Sequence, residues 1–335
     1  MSEQPQKRQR TERNAPDAEP VYKQSEQVWM TYGDIIIQVQ DMQFKVNRDV
    51  LARNSVVFAG MLDIPQPVEQ AQVDGLPVVQ LVGDSPKEVE SLLAAFYDPF
   101  YRTGSISFDA LAFSLRLGRK YEAVTFKHDA AKRLHSEFPN TLDRWDKRQA
   151  RQRLHGMESI RHSATIYVDL LSLAWENGVY TSVPALGLHC LSTYTLNELY
   201  DGLLREDGSR ATLPEDVQLM LARGQEHIQI FQRNMFEWLR EEGEVVPNQN
   251  ECVLYDDCEE QRQAMFKIEC GENRVDISFF LEQWEKLAGG DWAGRICVDC
   301  NKAAKVAHDV QRAAAWEKLP LFFGLPAWND LKDRD

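Results

Sequence analysis

Four of the six cysteines have spacings that suit a shared metal ion. Cys297 and Cys300 are two residues apart, which lets both thiolates reach one tetrahedral ion, and a helix is expected to start just after them. Cys252 and Cys258, about forty residues upstream, would supply the other pair, although their five-residue gap is wider than the usual two to four. Cys270 or His308 is a substitute for any one member. One reading is a structural zinc site, and the other is ordinary reduced thiols packed against the helix. The nearby Asp256, Asp257, Glu259 and Glu260 do not exclude zinc, but four thiolates do not need them. A redox pair would call for an alternating strand–helix unit around it, and that pattern is missing.

The seven histidines offer less. His128 and His135 lie seven residues apart on one expected helix, while His155, His162, His189, His227 and His308 share no spacing. The sequence has no Gly-x-Ser-x-Gly, no Gly-x-x-x-x-Gly-Lys, no paired-glycine dinucleotide turn and no His-Glu-x-x-His. These absences argue against an enzyme. A catalytic triad assembled only by folding, as in an unrecognised hydrolase, is the third class of reading.

The chain that must position these groups has 335 residues, 43% of them hydrophobic, which suits about two domains. Its net charge of −14 argues against nucleic acid as the main partner, because phosphate binding calls for a basic face. No stretch approaches the roughly 18 apolar residues of a membrane span, and the N-terminus has no apolar core of a secretory signal. An intracellular protein, nuclear or cytoplasmic, is expected, with its cysteines reduced or metal-bound. Residues 1–30 are polar and read as a disordered tail. Within them Lys7, Arg8 and Arg10, extended by Arg13, form either a nuclear-import signal or a solubilising charge run.

From Tyr32 the pattern changes. Asp34-Ile35-Ile36-Ile37-Gln38-Val39 is a β-branched run and Gln43-Phe44-Lys45-Val46 an alternating one, joined closely enough for a hairpin. A helix is expected over Asn47–Ser55 with Val50 and Leu51 apolar. Ser55 can cap a second, carrying Val56, Phe58, Met61 and Leu62. Residues 77–82 read as a third strand. Ser85-Pro86-Lys87-Glu88 has the form of a helix start, followed by Val89, Leu92, Leu93 and Phe96 on one face. Further helices are expected around Phe108–Leu117 and Val124–Phe138. Residues 140–158 are strongly charged and read as a solvated helix or linker, with Trp145 the nearly isolated aromatic.

The second half is mainly helical. One amphipathic helix is expected through Ile160, Ala164, Val168, Leu171 and Trp175, and another has Pro184 in its first turn. Thr212-Leu213-Pro214-Glu215 reads as a capping box opening a long helix. Its seam of Val217, Leu221, Gly224, Ile228, Phe231, Met235 and Trp238 suits a domain core better than a coiled coil.

The block Asp34–Val39, then Phe44-Lys45-Val46-Asn47-Arg48-Asp49-Val50-Leu51-Ala52, then Ser55-Val56-Val57-Phe58, resembles the start of a BTB/POZ domain. Cys297-Val298-Asp299-Cys300, Trp316 and the run 319–328 resemble an uncharacterised fungal group of BTB domain-containing proteins. The resemblance implies an α+β fold class: a small sheet with surrounding helices, then a mainly α-helical C-terminal region. With the composition read above, the chain divides into a tail (1–30), a BTB/POZ-like domain (31–139), a charged linker (140–158) and a helical domain (159–330). The resemblance further implies a non-enzymatic adaptor or scaffold that binds proteins, through self-association or through a cullin-type ubiquitin ligase or transcriptional regulator. The motif residues are Asp34, Phe44, Asn47, Arg48, Val50, Leu51 and Phe58. Many members carry histidine at the position of Asn47, forming a polar pocket with the strand aspartate, here Asp34. Asparagine keeps the hydrogen bonding but does not titrate near neutrality. A charged pocket would then draw on Arg48 or Lys45, and the other reading makes Asp34 a turn residue opening the strand. Dimeric members usually have a helix before the first strand, and residues 21–32 offer it only Val21, Val28 and Trp29. The alternative to the adaptor is a zinc-stabilised nuclear regulator whose C-terminal half makes the specific contact.

Overall fold

The computed structural model describes residues 22–64, 71–98, 103–155, 157–161, 163–240, 245–247, 251–269, 277, 279–289 and 294–334. The basic cluster at Lys7, Arg8, Arg10 and Arg13, and Cys270, lie outside the described residues. The chain divides into two compact units between residues 101 and 102.

The N-terminal unit is built on five strands: β1 (Lys23–Trp29), β2 (Ile35–Val39), β3 (Met42–Val46), β4 (Gln72–Val73) and β5 (Leu76–Leu81), in the order β1-β3-β2-β5-β4. The β-branched run of β2 forms the centre of the sheet because all five of its residues are buried. It pairs antiparallel with β3, Ile37 opposite Phe44, and parallel with β5, Ile37 opposite Val79. The hairpin turn puts Gln40 at φ 52, an unfavourable region for a non-glycine, and its Nε2 donates to the Asp84 carbonyl at 3.2 Å. Gln38 and Gln43, opposite each other and both buried, join through Gln43 Nε2 donating to Gln38 Oε1 at 3.0 Å.

The segment weighed as a helix before the first strand is β1. It runs parallel to β3, and its register slips between Gln24 and Trp29. The buried Ser25 hydroxyl accepts the N–H groups of Gln27 and Val28 at 3.2 and 2.8 Å, supplying acceptors where the ladder is interrupted. Ser25 also donates to Glu90.

Among the described residues the helices of this unit are α1 (Arg48–Asn54), α2 (Val56–Asp63) and α3 (Pro86–Tyr97). Ser55 caps α2 as expected, its hydroxyl accepting the Phe58 N–H at 3.0 Å. Ser85 occupies the N-cap of α3 but makes no side-chain capping bond. Val89, Leu92 and Leu93 are buried, while Phe96 lies half-buried.

The C-terminal unit contains α4 (Phe108–Lys120), α5 (Val124–Glu137), α6 (Leu142–His155), α7 (Ile166–Asn177), α8 (Val183–Thr193), α9 (Leu196–Asp201), the short pair β6 (Leu203–Leu204) and β7 (Arg210–Ala211), α10 (Glu215–Met235), α11 (Tyr255–Glu269), α12 (Trp284–Gly289) and α13 (Val298–Phe322). α7 and α8 are buried on nearly every side and form its centre. The charged stretch at 140–158 contributes α6, and its Trp145 and Arg148 are buried in the core instead of solvated. Ile160 lies outside α7. It makes a parallel bridge with Ile106, so the expected amphipathic helix starts later, at Ile166.

Thr212 does not cap α10. Pro214 holds the N-cap, and among the described residues a capping box is found instead at Thr195 with Glu198, opening α9. The α10 seam is core: Val217, Leu221, Ile228 and Met235 are buried, and Phe231 packs against them. Glycine is required at 224, where a Cβ would stand 2.3 Å from the Phe323 ring. Gly178 ends α7 at φ 74, a conformation that spares the last carbonyls without a Cβ penalty.

Candidate metal centre and candidate interaction surface

The four cysteines singled out by spacing meet in space. The sulfurs of Cys252, Cys258, Cys297 and Cys300 all lie within 4.8 Å of one another. Cys252 stands in the segment before α11, and Cys258 sits in the first turns of α11. That change from a turn-and-bend segment to helix lets their five-residue gap converge on one point. Cys297 is the N-cap of α13 and Cys300 lies three residues into the helix, so the pair shares one face at a helix start. Cys258 and Cys300 are buried, and Cys252 and Cys297 are partly so.

All four are free thiols, with Cys252 and Cys297 sulfurs 3.8 Å apart. The Cys297 N–H donates to the Cys258 sulfur at 3.3 Å, a bond that favours a thiolate acceptor. Burial works against ionisation of Cys297, but hydrogen bonds from the Cys300 backbone and thiol and from the other two cysteines bring its pKa down to about 7. Burial pushes Cys258 up to about 11, partly offset by the Cys297 N–H. His308 is not a member. It is buried on α13, with Nε2 against the Glu282 carbonyl at 2.9 Å and its ring stacked on Phe236.

In the N-terminal unit the motif residues divide into core and cap. Phe44, Leu51 and Phe58 are fully buried, Val50 is half-buried and Arg48 is exposed. Asp34 and Asn47 do meet at one place, the start of α1. Asp34 Oδ1 accepts the Arg48 N–H at 2.8 Å, so this aspartate opens a strand and caps a helix at once. Asn47 Nδ2 donates to the Tyr32 carbonyl at 2.8 Å. Its backbone N–H donates to the Tyr97 hydroxyl at 2.9 Å, and that hydroxyl donates to Asn47 Oδ1 at 3.2 Å. Burial raises the Tyr97 pKa, against the hydrogen bond from Asn47, so the phenol stays protonated as this bonding requires. Tyr97 is a partner the sequence reading missed, because nothing local links residues fifty apart.

Part of this unit's exposed apolar surface lies on α2, beside that of Tyr32 and Val82 elsewhere in the unit. Phe58 is buried, but Val56 is 60% and Val57 37% exposed. The run Val-Val-Phe-Ala-Gly-Met-Leu is apolar on more sides than one buried face needs, and that signal was visible in the sequence.

The histidines form no relay among the described residues. His135, Thr181 and Asp333 come together, yet Thr181 Oγ1 at 3.0 Å and Asp333 Oδ2 at 2.8 Å both meet the same nitrogen, Nε2. A triad needs the acid and the hydroxyl on opposite nitrogens. Thr181 also donates to Asp333, which makes the trio an anchor for residues near 333. Burial works against the charge on Asp333, but the bonds from His135 and Thr181 hold it below the usual carboxylate range.

No helix among the described residues is long and apolar enough to cross a membrane. No curated protein and no solved structure matches the chain. Residues 22–136 match the family model of the BTB/POZ domain, a protein-interaction module, and cover the sheet, the polar cap of α1, the exposed face of α2, and α3 to α5. The fold class is therefore α+β, an N-terminal BTB/POZ domain of small sheet and helices followed by a helical C-terminal region.

Proposed function

We propose that the chain is an adaptor or scaffold that binds another polypeptide through its BTB/POZ domain. The family match over residues 22–136 carries this reading. The exposed Val56 and Val57 on α2 support it as apolar surface available for burial. Partners that suit the domain class are a second copy of the chain, a cullin-type ubiquitin ligase or a transcriptional regulator.

The test uses the full chain. Light scattering decides self-association, and affinity capture against an unrelated bait identifies other partners. The double variant Val56→Asp, Val57→Asp changes only exposed positions, so its melting curve should stay normal while the partner is lost. A folded wild-type chain that is monomeric and enriches no polypeptide over the control would sink the reading.

The second reading is a zinc-stabilised nuclear regulator whose C-terminal half makes the specific contact, with import through Lys7, Arg8 and Arg10. It is favoured by Val306 and Val310, exposed one turn apart on α13, and by the gathered thiols. A partner kept by the α2 variant but lost with Val306→Asp, Val310→Asp would select it.

A further inference from the structure

We infer that Cys252, Cys258, Cys297 and Cys300 hold one structural zinc ion that cross-links two stretches of the C-terminal unit far apart in sequence. The first argument is shape. A tetrahedral zinc with thiolate bonds of about 2.3 Å has sulfur–sulfur edges of about 3.8 Å. The Cys252–Cys297 separation is 3.8 Å, and no pair in the group exceeds 4.8 Å. A disulfide would instead bring two sulfurs to about 2.05 Å and leave the other two aside.

The second argument is donor chemistry. Four thiols and no carboxylate or imidazole make a soft set that selects zinc or iron over magnesium and calcium. Four donors close the coordination shell, so no position remains for water or substrate, and the role is structural. The Cys297 N–H on the Cys258 sulfur is the outer bond that orients a thiolate ligand.

The third argument is the packing nearby. Among its described residues α11 buries Cys258, Arg262 and Met265, a narrow apolar hold for a helix of 15 residues. Zinc would tie its start, and the segment before it, to the start of α13 across 45 residues of chain. Closing so long a loop restricts the unfolded chain more than the folded one.

This inference is independent of any partner of the BTB/POZ domain, so either can fail alone. The full chain is purified reduced, without chelator, from zinc-supplemented cells, and its metal content is measured. About one zinc per chain is expected. The metal-stripped chain should bind Co²⁺ with thiolate charge-transfer and tetrahedral d–d bands that zinc abolishes. Cys297→Ser with Cys300→Ser should lose both signals, whereas Cys190→Ser, a cysteine outside the cluster, should keep them. Should the double variant fail to fold, the metal content and cobalt spectrum of the wild-type chain decide. A folded, reduced wild-type chain without stoichiometric metal overturns the inference, as do iron in place of zinc, no cobalt bands, or zinc retained by a folded double variant.

Discussion

The two units place polar groups in their interiors by different means. In the N-terminal unit the buried polar side chains are chiefly neutral, Ser25, Gln38, Gln43 and Ser55, and all four bond to main chain or to a strand neighbour. In the C-terminal unit the interior takes in charge, with Arg133, Glu137, Arg148, Asp169, Arg262 and Arg312 all buried. Glu137 is the clearest case. Its Oε1 accepts the N–H groups of Glu158 and Ser159 at 2.9 and 2.8 Å and the Ser159 hydroxyl at 2.8 Å, while Oε2 faces Arg148 Nε at 3.6 Å. A sheet satisfies its own backbone, so it needs only local repairs. A helical unit must join separate rods, and buried ions that bond several partners do so at a risk: removing one member strands the others.

That contrast can be broken from either side. The largest effect is expected in the sheet unit, where Leu51→Asp places a charge at a fully buried site and should cost several kcal/mol, about 5 or more. Loss of protected amides in β2 and β3 by hydrogen exchange would register it, and a normal melting curve would refute the assignment of α1 to the core. Glu137→Ala should cost about 3–5 kcal/mol, because it leaves the Arg148 guanidinium and three donors without the carboxylate. Chemical denaturation measures this, and a loss below about 1 kcal/mol would mean that the pair is dispensable.

The smallest effect is a pH response confined to one unit. All seven histidines follow residue 101, so the N-terminal unit has none. Burial first, and then the Arg148 cation, holds His189 well below the ordinary histidine value, and burial lowers His308 as well. Both therefore bind a proton less readily in the folded chain, and the unfolded chain takes up more protons as pH falls through its histidine pKa of about 6.5. Stability of the C-terminal unit should be full above that value and fall as pH drops from about 7 to about 5, with the N-terminal unit flat over the same range. Hydrogen exchange at several pH values separates the units. A slope unchanged in His189→Gln would remove that residue as its source.

Short-range patterns were legible in the sequence. The isoleucine run read as a strand, which the fold buries on both faces, and Ser55 announced a helix start that its hydroxyl makes. The two-residue spacing of Cys297 and Cys300 marked a pair. The wide gap between Cys252 and Cys258 looked unfavourable only because the start of α11 between them was not foreseen. Thr212 and Thr195 both head threonine–glutamate quartets, and the proline after Leu213 moved the helix start past the first. Partners far apart in sequence, such as Asn47 with Tyr97 or Glu137 with Ser159, leave no local trace. β1 was hidden for a related reason: its residues are polar, and its strand character comes from β3 beside it.

The ring of Phe323 occupies the room left by two missing side chains, since a Cβ at Gly187 would stand 3.0 Å from it and one at Gly224 2.3 Å. These three positions can therefore drift through evolution only as a set. An alanine arriving at 224 would demand a slimmer residue at 323, and a lineage that had lost the phenyl would be released from keeping glycine in either helix.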